Sequence, residues 1–313
     1  MVEMSQRNRT ESADVFQGRQ HHRESCLSGR IAVRCLITGA GGLLGSALST
    51  VMDRRGMEYK ALAKSDLDVT DRYATERCIS AENPHIVFHC AAFTNVDMAE
   101  SERSTSIAVN AGGATNVAEA CKTAESRMVF FSTDYVFDGT KRTPYSTNDK
   151  PDPLSVYGES KLAGENAVVV SGVDALLIRT SWLYGAVGEN VVRMVIQRAR
   201  EGRPLQLVDD QTGSPTWAEH VAELTLDLVK HQASGTYHIT DSGEASWYDL
   251  GREVLSICGL YCEIKTISTE DWGAPAPRPR YSVLDSSNTE EILGRRMTPW
   301  REALKKFLKD IPR

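Results

Sequence analysis

This 313-residue sequence lacks the features of a membrane protein, a nucleic-acid-binding protein or a disulfide-rich secreted protein. No apolar run approaches the ~18 residues that span a bilayer. The net charge of −6 argues against nucleic acid or an anionic membrane as a partner. Seven cysteines form no dense framework and fit a reducing compartment. We therefore expect a cytoplasmic protein that binds neither nucleic acid nor membranes.

Residues 1–30 also lack the apolar stretch that a secretory signal requires. They are polar and rich in Arg, Ser, Gln and His, and we expect them to form a disordered N-terminal extension. No internal repeat or low-complexity tract follows. The remaining length is ample for a buried core, and the composition is that of an ordinary globular protein.

What the sequence does have is a glycine-rich turn between a strand pattern and a helix pattern. An apolar run from residue 31 leads into Gly39, Gly42 and Gly45, and helical spacing of apolar residues follows. Such glycines permit a tight turn and let backbone N–H groups approach a pyrophosphate at the helix N-terminus. A glycine-rich loop can also merely connect a strand to a helix. The strand before it and the helix after it favour dinucleotide binding.

The chain continues as alternating strand and helix patterns. We predict further strands over 58–63, 85–90, 128–132 and 175–179, and helices over 71–81, over 104–124 and from Tyr157 onward. This order predicts an α/β protein with a Rossmann-like, doubly wound parallel sheet. Ligands of such a sheet bind at the carboxyl ends of its strands.

The pattern becomes more mixed after about residue 185. We assign residues 31–184 to an NAD(P)-binding Rossmann domain. Residues 185–313 are assigned mainly to a smaller C-terminal substrate-binding lobe, part of which returns to the sheet. Within this lobe, the spacing of Thr216 and Glu219 predicts a capping box at a helix start. A second helix start is predicted at Ser246.

Tyr157 and Lys161 are four residues apart and therefore lie on the same face of a helix. A free phenol has a pKa of roughly 10 and is a poor acid or base at neutral pH. We expect the Lys161 ammonium to stabilise the phenolate and lower the pKa of Tyr157. This pair is common on helix surfaces, but here it follows a nucleotide-binding motif. Thr133 follows a predicted strand, and its hydroxyl can donate a hydrogen bond to a substrate carbonyl oxygen. The alternative is that this hydroxyl only stabilises a turn of the backbone.

With these motifs in place, the chain resembles the dTDP-4-dehydrorhamnose reductase family of extended short-chain dehydrogenases/reductases. The resemblance covers residues 31 to about 308. It is carried by CAAFTNVDMAESE (90–102), FSTDYVFDGTKRTPY (131–145), PLSVYGESKLAGE (153–165), LIRTSWLYG (177–185), VDDQTGSPT (208–216) and residues 278–285. It implies NAD(P)H-dependent reduction of the 4-keto group of dTDP-4-dehydro-β-L-rhamnose, with Tyr157 as the proton donor.

The resemblance also implies roles for individual residues. The catalytic triad corresponds to Thr133, Tyr157 and Lys161. Residues that contact the sugar or shape its pocket correspond to Thr94, Val96, Asp134, Tyr135 and Trp182. We expect the cofactor to contact Tyr157, Lys161 and a further set that comprises Gly39, Gly42, Leu43, Leu44, Gly45, Lys64, Asp68, Val69, Ala91 and Ala92.

Cofactor preference depends on the end of the strand at 58–63. NAD-selective folds place a carboxylate there for the ribose 2′-hydroxyl. This strand ends without one, and Lys64 can instead meet a 2′-phosphate. We expect NADPH to be used at least as well as NADH, although Lys64 as a solvated loop residue is the alternative.

Metal binding and dimerisation form a separate question. Family members that dimerise through magnesium carry a carboxylate two residues after the last glycine of the motif, where this chain has Ala47. Asp209 and Asp210 match the other acidic positions. We expect no metal site. A homodimer that forms without a metal bridge remains an alternative to a monomer.

Two other functions remain open at this point. One is a non-catalytic, NADP-binding regulatory subunit that resembles the β subunit of methionine adenosyltransferase. The other is a reductase of a different nucleotide-linked 4-keto sugar. The intact triad favours an enzyme whose substrate is a nucleotide-sugar. Its diphosphate could be neutralised by Arg179, Arg278 and Arg280.

Overall fold

The computed structural model of the protein describes residues 33–310. The predicted disordered extension at residues 1–30 lies outside the described residues. Within them, no helix has both the length and the apolar character needed to cross a membrane.

The strands and helices are numbered in chain order. The strands are β1 Cys35–Thr38, β2 Tyr59–Leu62, β3 Ile86–His89, β4 Arg127–Thr133, β5 Ala175–Thr180, β6 Leu183–Tyr184, β7 Leu205–Val208, β8 Thr212–Gly213, β9 Thr216–Trp217, β10 Gly235–His238, β11 Ala245–Ser246 and β12 Ile264–Ile267. The α-helices are α1 Leu43–Arg54, α2 Arg72–Glu82, α3 Val96–Ser101, α4 Arg103–Ile107, α5 Gly113–Thr123, α6 Val156–Ser171, α7 Val191–Arg200, α8 Ala218–Lys230, α9 Trp247–Cys258, α10 Thr269–Trp272, α11 Ser287–Leu293 and α12 Trp300–Asp310.

A six-stranded sheet with the order β10-β5-β4-β3-β1-β2 forms the centre of the fold. Every pairing in it is parallel. The side chains of successive strand residues point to opposite faces. Accordingly, Cys35 and Ile37 join one apolar core, which α1 and α8 cover, and Leu36 joins another, beneath α5. The predicted doubly wound parallel sheet is confirmed.

The C-terminal part of the chain contributes β10 to this sheet and forms a third apolar core. That core packs α7, α9 and α12 around the side chains of Trp217 and Trp300. Three two-stranded sheets, β7–β12, β8–β11 and β6–β9, connect its segments.

Two local predictions need correction. The helix predicted over 104–124 is interrupted by a π-helical segment, Ala108–Gly112, between α4 and α5. The capping box predicted at Thr216 is wrong, because Thr216 belongs to β9 and its hydroxyl donates to the Ser214 carbonyl. Helix α8 begins after Trp217 with no side-chain cap. The helix start predicted at Ser246 is confirmed and forms a capping box with Asp249.

Candidate active site

A cavity of about 780 Å³ opens at the carboxyl edge of the sheet. Every residue that the sequence assigns to the catalytic triad, the cofactor or the sugar lines this cavity. Its volume lies within the range of small-molecule and cofactor sites. The structure therefore brings the predicted site residues together at the edge where ligands of a doubly wound sheet bind.

The glycine turn forms one end of the cavity. Gly39 has a φ of +69°, and a Cβ there would overlap the backbone of Ala91. A Cβ on Gly45 would overlap the Gly39 carbonyl. Helix α1 follows with Gly42 at its N-cap and no side-chain cap, so the backbone amides of its first turn are available to an anion. These glycines and amides fit a dinucleotide pyrophosphate.

Lys64, Asp68 and Val69 line the same end of the cavity beyond β2. Lys64 is exposed. Two hydrogen bonds from Thr70, one from its hydroxyl and one from its amide, hold the pKa of Asp68 below its usual value. A shallower groove of about 370 Å³ continues outward past Lys64 and Asp68. Lys64 is therefore at the cavity and has room beside it for a bulky anionic group.

Tyr157 and Lys161 lie on the first turns of α6. Ser155 caps this helix by accepting a hydrogen bond from the Gly158 amide. A Cβ on Gly158 would overlap the Tyr135 carbonyl, so glycine permits the close approach of α6 to that loop. Lys161 is buried, and its ammonium donates to the Phe131 carbonyl at 2.7 Å.

The expected lowering of the Tyr157 pKa is wrong. Burial raises the pKa of Tyr157 to about 12, and a hydrogen bond with the Thr133 hydroxyl only partly offsets the rise. Burial also lowers the pKa of Lys161 to about 8. The physical reason is that the cost of desolvating a phenolate exceeds the stabilisation available, while the ammonium is engaged by the Phe131 carbonyl.

Thr133, Asp134 and Tyr135 follow β4 directly. The Thr133 hydroxyl donates to Asp134 Oδ1 at 3.0 Å and accepts from the Tyr135 amide at 3.1 Å. Burial raises the pKa of Asp134 to about 7, against the hydrogen bonds from Ser282 and Thr133. The rings of Tyr135 and Tyr157 pack edge to face with centroids 6.0 Å apart. The three residues thus form one hydrogen-bonded group that lines the cavity together with Tyr157.

Asn110, in the π-helical segment, was missed by the sequence reasoning. Its side chain donates to the Phe93 carbonyl at 3.0 Å and to the Ser160 hydroxyl at 2.9 Å, and it accepts from the Phe93 amide. Ser160 in turn donates to the Tyr157 carbonyl. Asn110 thereby ties the loop after β3, which carries Ala91, Ala92 and Thr94, to the helix of Tyr157. The only signal in the sequence was an Asn among small and apolar residues of a predicted helix, where Asn is an unfavourable residue.

Trp247 is a second missed residue. Its indole lies face to face with that of Trp182, with centroids 3.5 Å apart and planes inclined by 3°. Both residues line the cavity. The sequence marked Ser246 as a helix start but gave no sign that the next side chain reaches the cavity.

None of the three arginines proposed for a diphosphate lines the cavity, and two of them are paired with carboxylates. Arg179 is buried and bonds Glu165 through two nitrogens, at 2.9 and 2.6 Å, so its predicted role is wrong. Arg278 makes two 2.8 Å bonds to the Asp97 carboxylate. Arg280 is exposed and does not line the cavity. No diphosphate site can be assigned to these three residues.

The acidic pair considered for a metal lies in the loop after β7. Asp210 accepts hydrogen bonds from the Thr269 amide and hydroxyl, at 2.9 and 2.6 Å. Over residues 33–310, no group of three or more His, Cys, Asp or Glu side chains is placed to hold a metal ion.

Comparison with known proteins identifies the relatives of this chain. Residues 33–312 match the family described as RmlD substrate binding domain. The chain is 40% identical over 281 residues to a dTDP-4-dehydrorhamnose reductase of Mycobacterium tuberculosis, covering 87% of this chain and 91% of the relative. It is 37% identical over 273 residues to a dTDP-4-keto-6-deoxy-D-glucose reductase of Streptomyces niveus, covering 87% and 95%.

Among solved structures, the chain is similar to dTDP-4-dehydrorhamnose reductase from Bacillus anthracis in complex with NADP. The TM-score is 0.87 at 35% sequence identity, and the match covers 90% of this chain and all of the other.

Proposed function

Because this chain belongs to the RmlD substrate binding domain family, we propose that it is an NADPH-dependent reductase of a dTDP-linked 4-keto sugar. The leading substrate is dTDP-4-dehydro-β-L-rhamnose, which would be reduced to dTDP-L-rhamnose. The observation that carries the proposal is the single cavity in which Thr133, Tyr157 and Lys161 lie with the glycine turn. We propose that this chemistry takes place in the cytoplasm.

The glycine turn, the first-turn amides of α1 and Lys64 would hold the cofactor. When bound, NADPH supplies the hydride that reduces the ketone carbon. Strand β2 ends at Leu62 with no carboxylate at its last residue, where NAD-selective folds carry one for the ribose 2′-hydroxyl, and Lys64 follows two residues later. This difference supports NADPH over NADH.

Tyr157 would supply the proton to the ketone oxygen. With a pKa of about 12, its phenol carries a proton at neutral pH, which is the form that an acid requires. The Thr133 hydroxyl, which donates to Asp134 Oδ1, lines the same cavity and could turn to donate to the same oxygen of the substrate. With a pKa of about 8, Lys161 is roughly ten-to-one protonated at pH 7, so a cation is present as the phenolate forms.

Substitution of Tyr157 by Phe tests this assignment. The variant should retain NADPH affinity and lose about 10²- to 10⁴-fold in kcat, because a positioned acid contributes that much. Tyr59→Phe, on the half-buried outer strand β2, is the matched control. The assay follows NADPH absorbance and product identity with a panel of nucleotide-linked 4-keto sugars. Near wild-type turnover of the Phe variant would remove Tyr157 from the mechanism.

The same panel separates the competing functions. A different preferred sugar would identify a related reductase. If the protein oxidised NADPH with none of these sugars yet bound a methionine adenosyltransferase tightly, a regulatory role would replace the catalytic one.

We propose further that catalysis requires no metal ion and that no metal ion bridges a homodimer. Ala47 is buried and offers no carboxylate, and Asp210 is already bonded to Thr269. Turnover and size-exclusion behaviour should therefore be the same with and without EDTA. Loss of activity or dissociation of a dimer on EDTA addition would contradict this.

A further inference from the structure

The Trp182–Trp247 pair is an unusual arrangement of two aromatic side chains. Isolated aromatic rings prefer offset or edge-to-face packing over a face-to-face sandwich. These indoles are nearly parallel, with centroids 3.5 Å apart. Their surroundings must therefore hold them in this geometry.

The short β8–β11 sheet fixes Trp247. Ser246 pairs with Thr212 in this antiparallel ladder, so the next residues outward, Trp247 and Gln211, face one another. The Trp247 indole N–H donates to Gln211 Oε1 at 3.0 Å. Gln211 is buried, and its amide nitrogen donates to the Thr269 hydroxyl at 3.0 Å. The Trp247 ring is thus anchored through a buried amide.

The position of Trp182 is equally constrained. Its φ is +46°, a left-handed conformation that costs free energy for a bulky residue and persists only where the surroundings enforce it. The Thr216 amide donates to its carbonyl at 3.2 Å. A Cβ on Gly213 would overlap the Trp182 indole, so only glycine permits the ring to occupy this place.

We propose that Trp247 is a positioning residue for substrate recognition. Stacking on Trp247 holds the Trp182 indole as a rigid apolar wall, against which the apolar face of the 6-deoxyhexose packs. This orients the ketone toward Tyr157. This role rests on the proposed function. Trp247 would affect sugar binding by positioning Trp182, and it would leave cofactor binding unchanged.

A double-mutant cycle with Trp182→Leu and Trp247→Leu tests the proposal. Trp247→Leu should raise KM for the sugar nucleotide about 10-fold, the upper range of an aromatic pair, with a smaller change in kcat and an unchanged Kd for NADPH. The double variant should be no worse than Trp182→Leu, because Trp247 acts through that ring. Trp247→Phe should restore much of the loss. Tyr248→Leu, which removes the neighbouring aromatic ring on α9 outside the cavity lining, is the control.

Circular dichroism provides a readout that does not depend on activity. Stacked indoles give an exciton couplet, which should be present in the wild type, absent in both single variants and retained in Tyr248→Leu. Additive effects of the two substitutions on KM, or a couplet that survives in Trp247→Leu, would overturn the proposal. Failure of the wild type to reduce any 4-keto sugar would overturn the proposed function instead. Calorimetric titration with dTDP-L-rhamnose would then still test whether Trp247→Leu weakens binding of a sugar nucleotide against Trp182.

Discussion

Asp134 provides the sharpest test of the electrostatics of the site. Its carboxyl is buried beside Thr133, and burial raises its pKa from 3.8 to about 7. Well below pH 3.8 the group is protonated in both the folded and the unfolded protein, so folding carries no penalty from it. As the pH rises toward 7, the unfolded chain releases this proton and the folded chain retains it. The free energy of unfolding therefore falls over this window, and the loss is complete above about pH 7.

The size of this loss follows from the two pKa values. Each pH unit between them corresponds to 1.36 kcal/mol, so the full loss is on the order of 4 kcal/mol, of which about 3 kcal/mol falls between pH 5 and pH 8. Asparagine does not ionise. Relative to the wild type, Asp134→Asn should gain about 3 kcal/mol of unfolding free energy between pH 5 and pH 8.

Urea unfolding at several pH values measures this difference without reference to activity. Asp138→Asn is a matched control four residues away. A hydrogen bond from Tyr145 holds the pKa of Asp138 below its usual value, so that group is ionised in both states throughout this window. Asp138→Asn should therefore follow the pH dependence of the wild type. If Asp134→Asn also ran parallel to the wild type between pH 5 and pH 8, the carboxyl would not be held protonated by burial.

Three further predictions concern charged side chains. Lys64→Ala should lower kcat/KM for NADPH and leave that for NADH unchanged; an unaltered cofactor preference would reject the contact. In the wild type, kcat/KM should fall as the pH rises through about 8, where Lys161 loses its proton, and Lys161→Arg should move this decline to higher pH; a decline at the same pH in both would implicate another group. Glu165→Gln should lower the free energy of unfolding, measured with urea, by about 3–5 kcal/mol, because it leaves Arg179 charged and buried. The double variant Glu165→Met with Arg179→Met should lower it by less. Equal losses in the two variants would contradict this.

The sequence determined those features that depend on neighbours along the chain. The apolar run at 85–90 contains the strand β3 of the parallel sheet. Gly39 and Gly42 lie in the tight turn before α1, and Gly45 lies in the first turn of that helix. The spacing of Ser246 and Asp249 fixed a helix start, since both partners of a capping box lie within one turn. The alternation of strand and helix then restricted the ligand site to one edge of the sheet. These are local or topological constraints, and a sequence states them directly.

Only the tertiary structure decided what depends on residues distant in sequence. Thr216 has the same local spacing as Ser246, yet pairing with Leu183 places it in a strand and removes it from the helix cap. Arg179 is as charged as any surface arginine, but Glu165 on α6 holds it inside. The pKa of Tyr157 depends on how completely neighbouring elements exclude water, which outweighs the lysine one turn away. Likewise Trp247 reaches the cavity because β8 and β11 align it with Gln211. Burial and long-range pairing are properties of the assembled chain, so no window of sequence contains them.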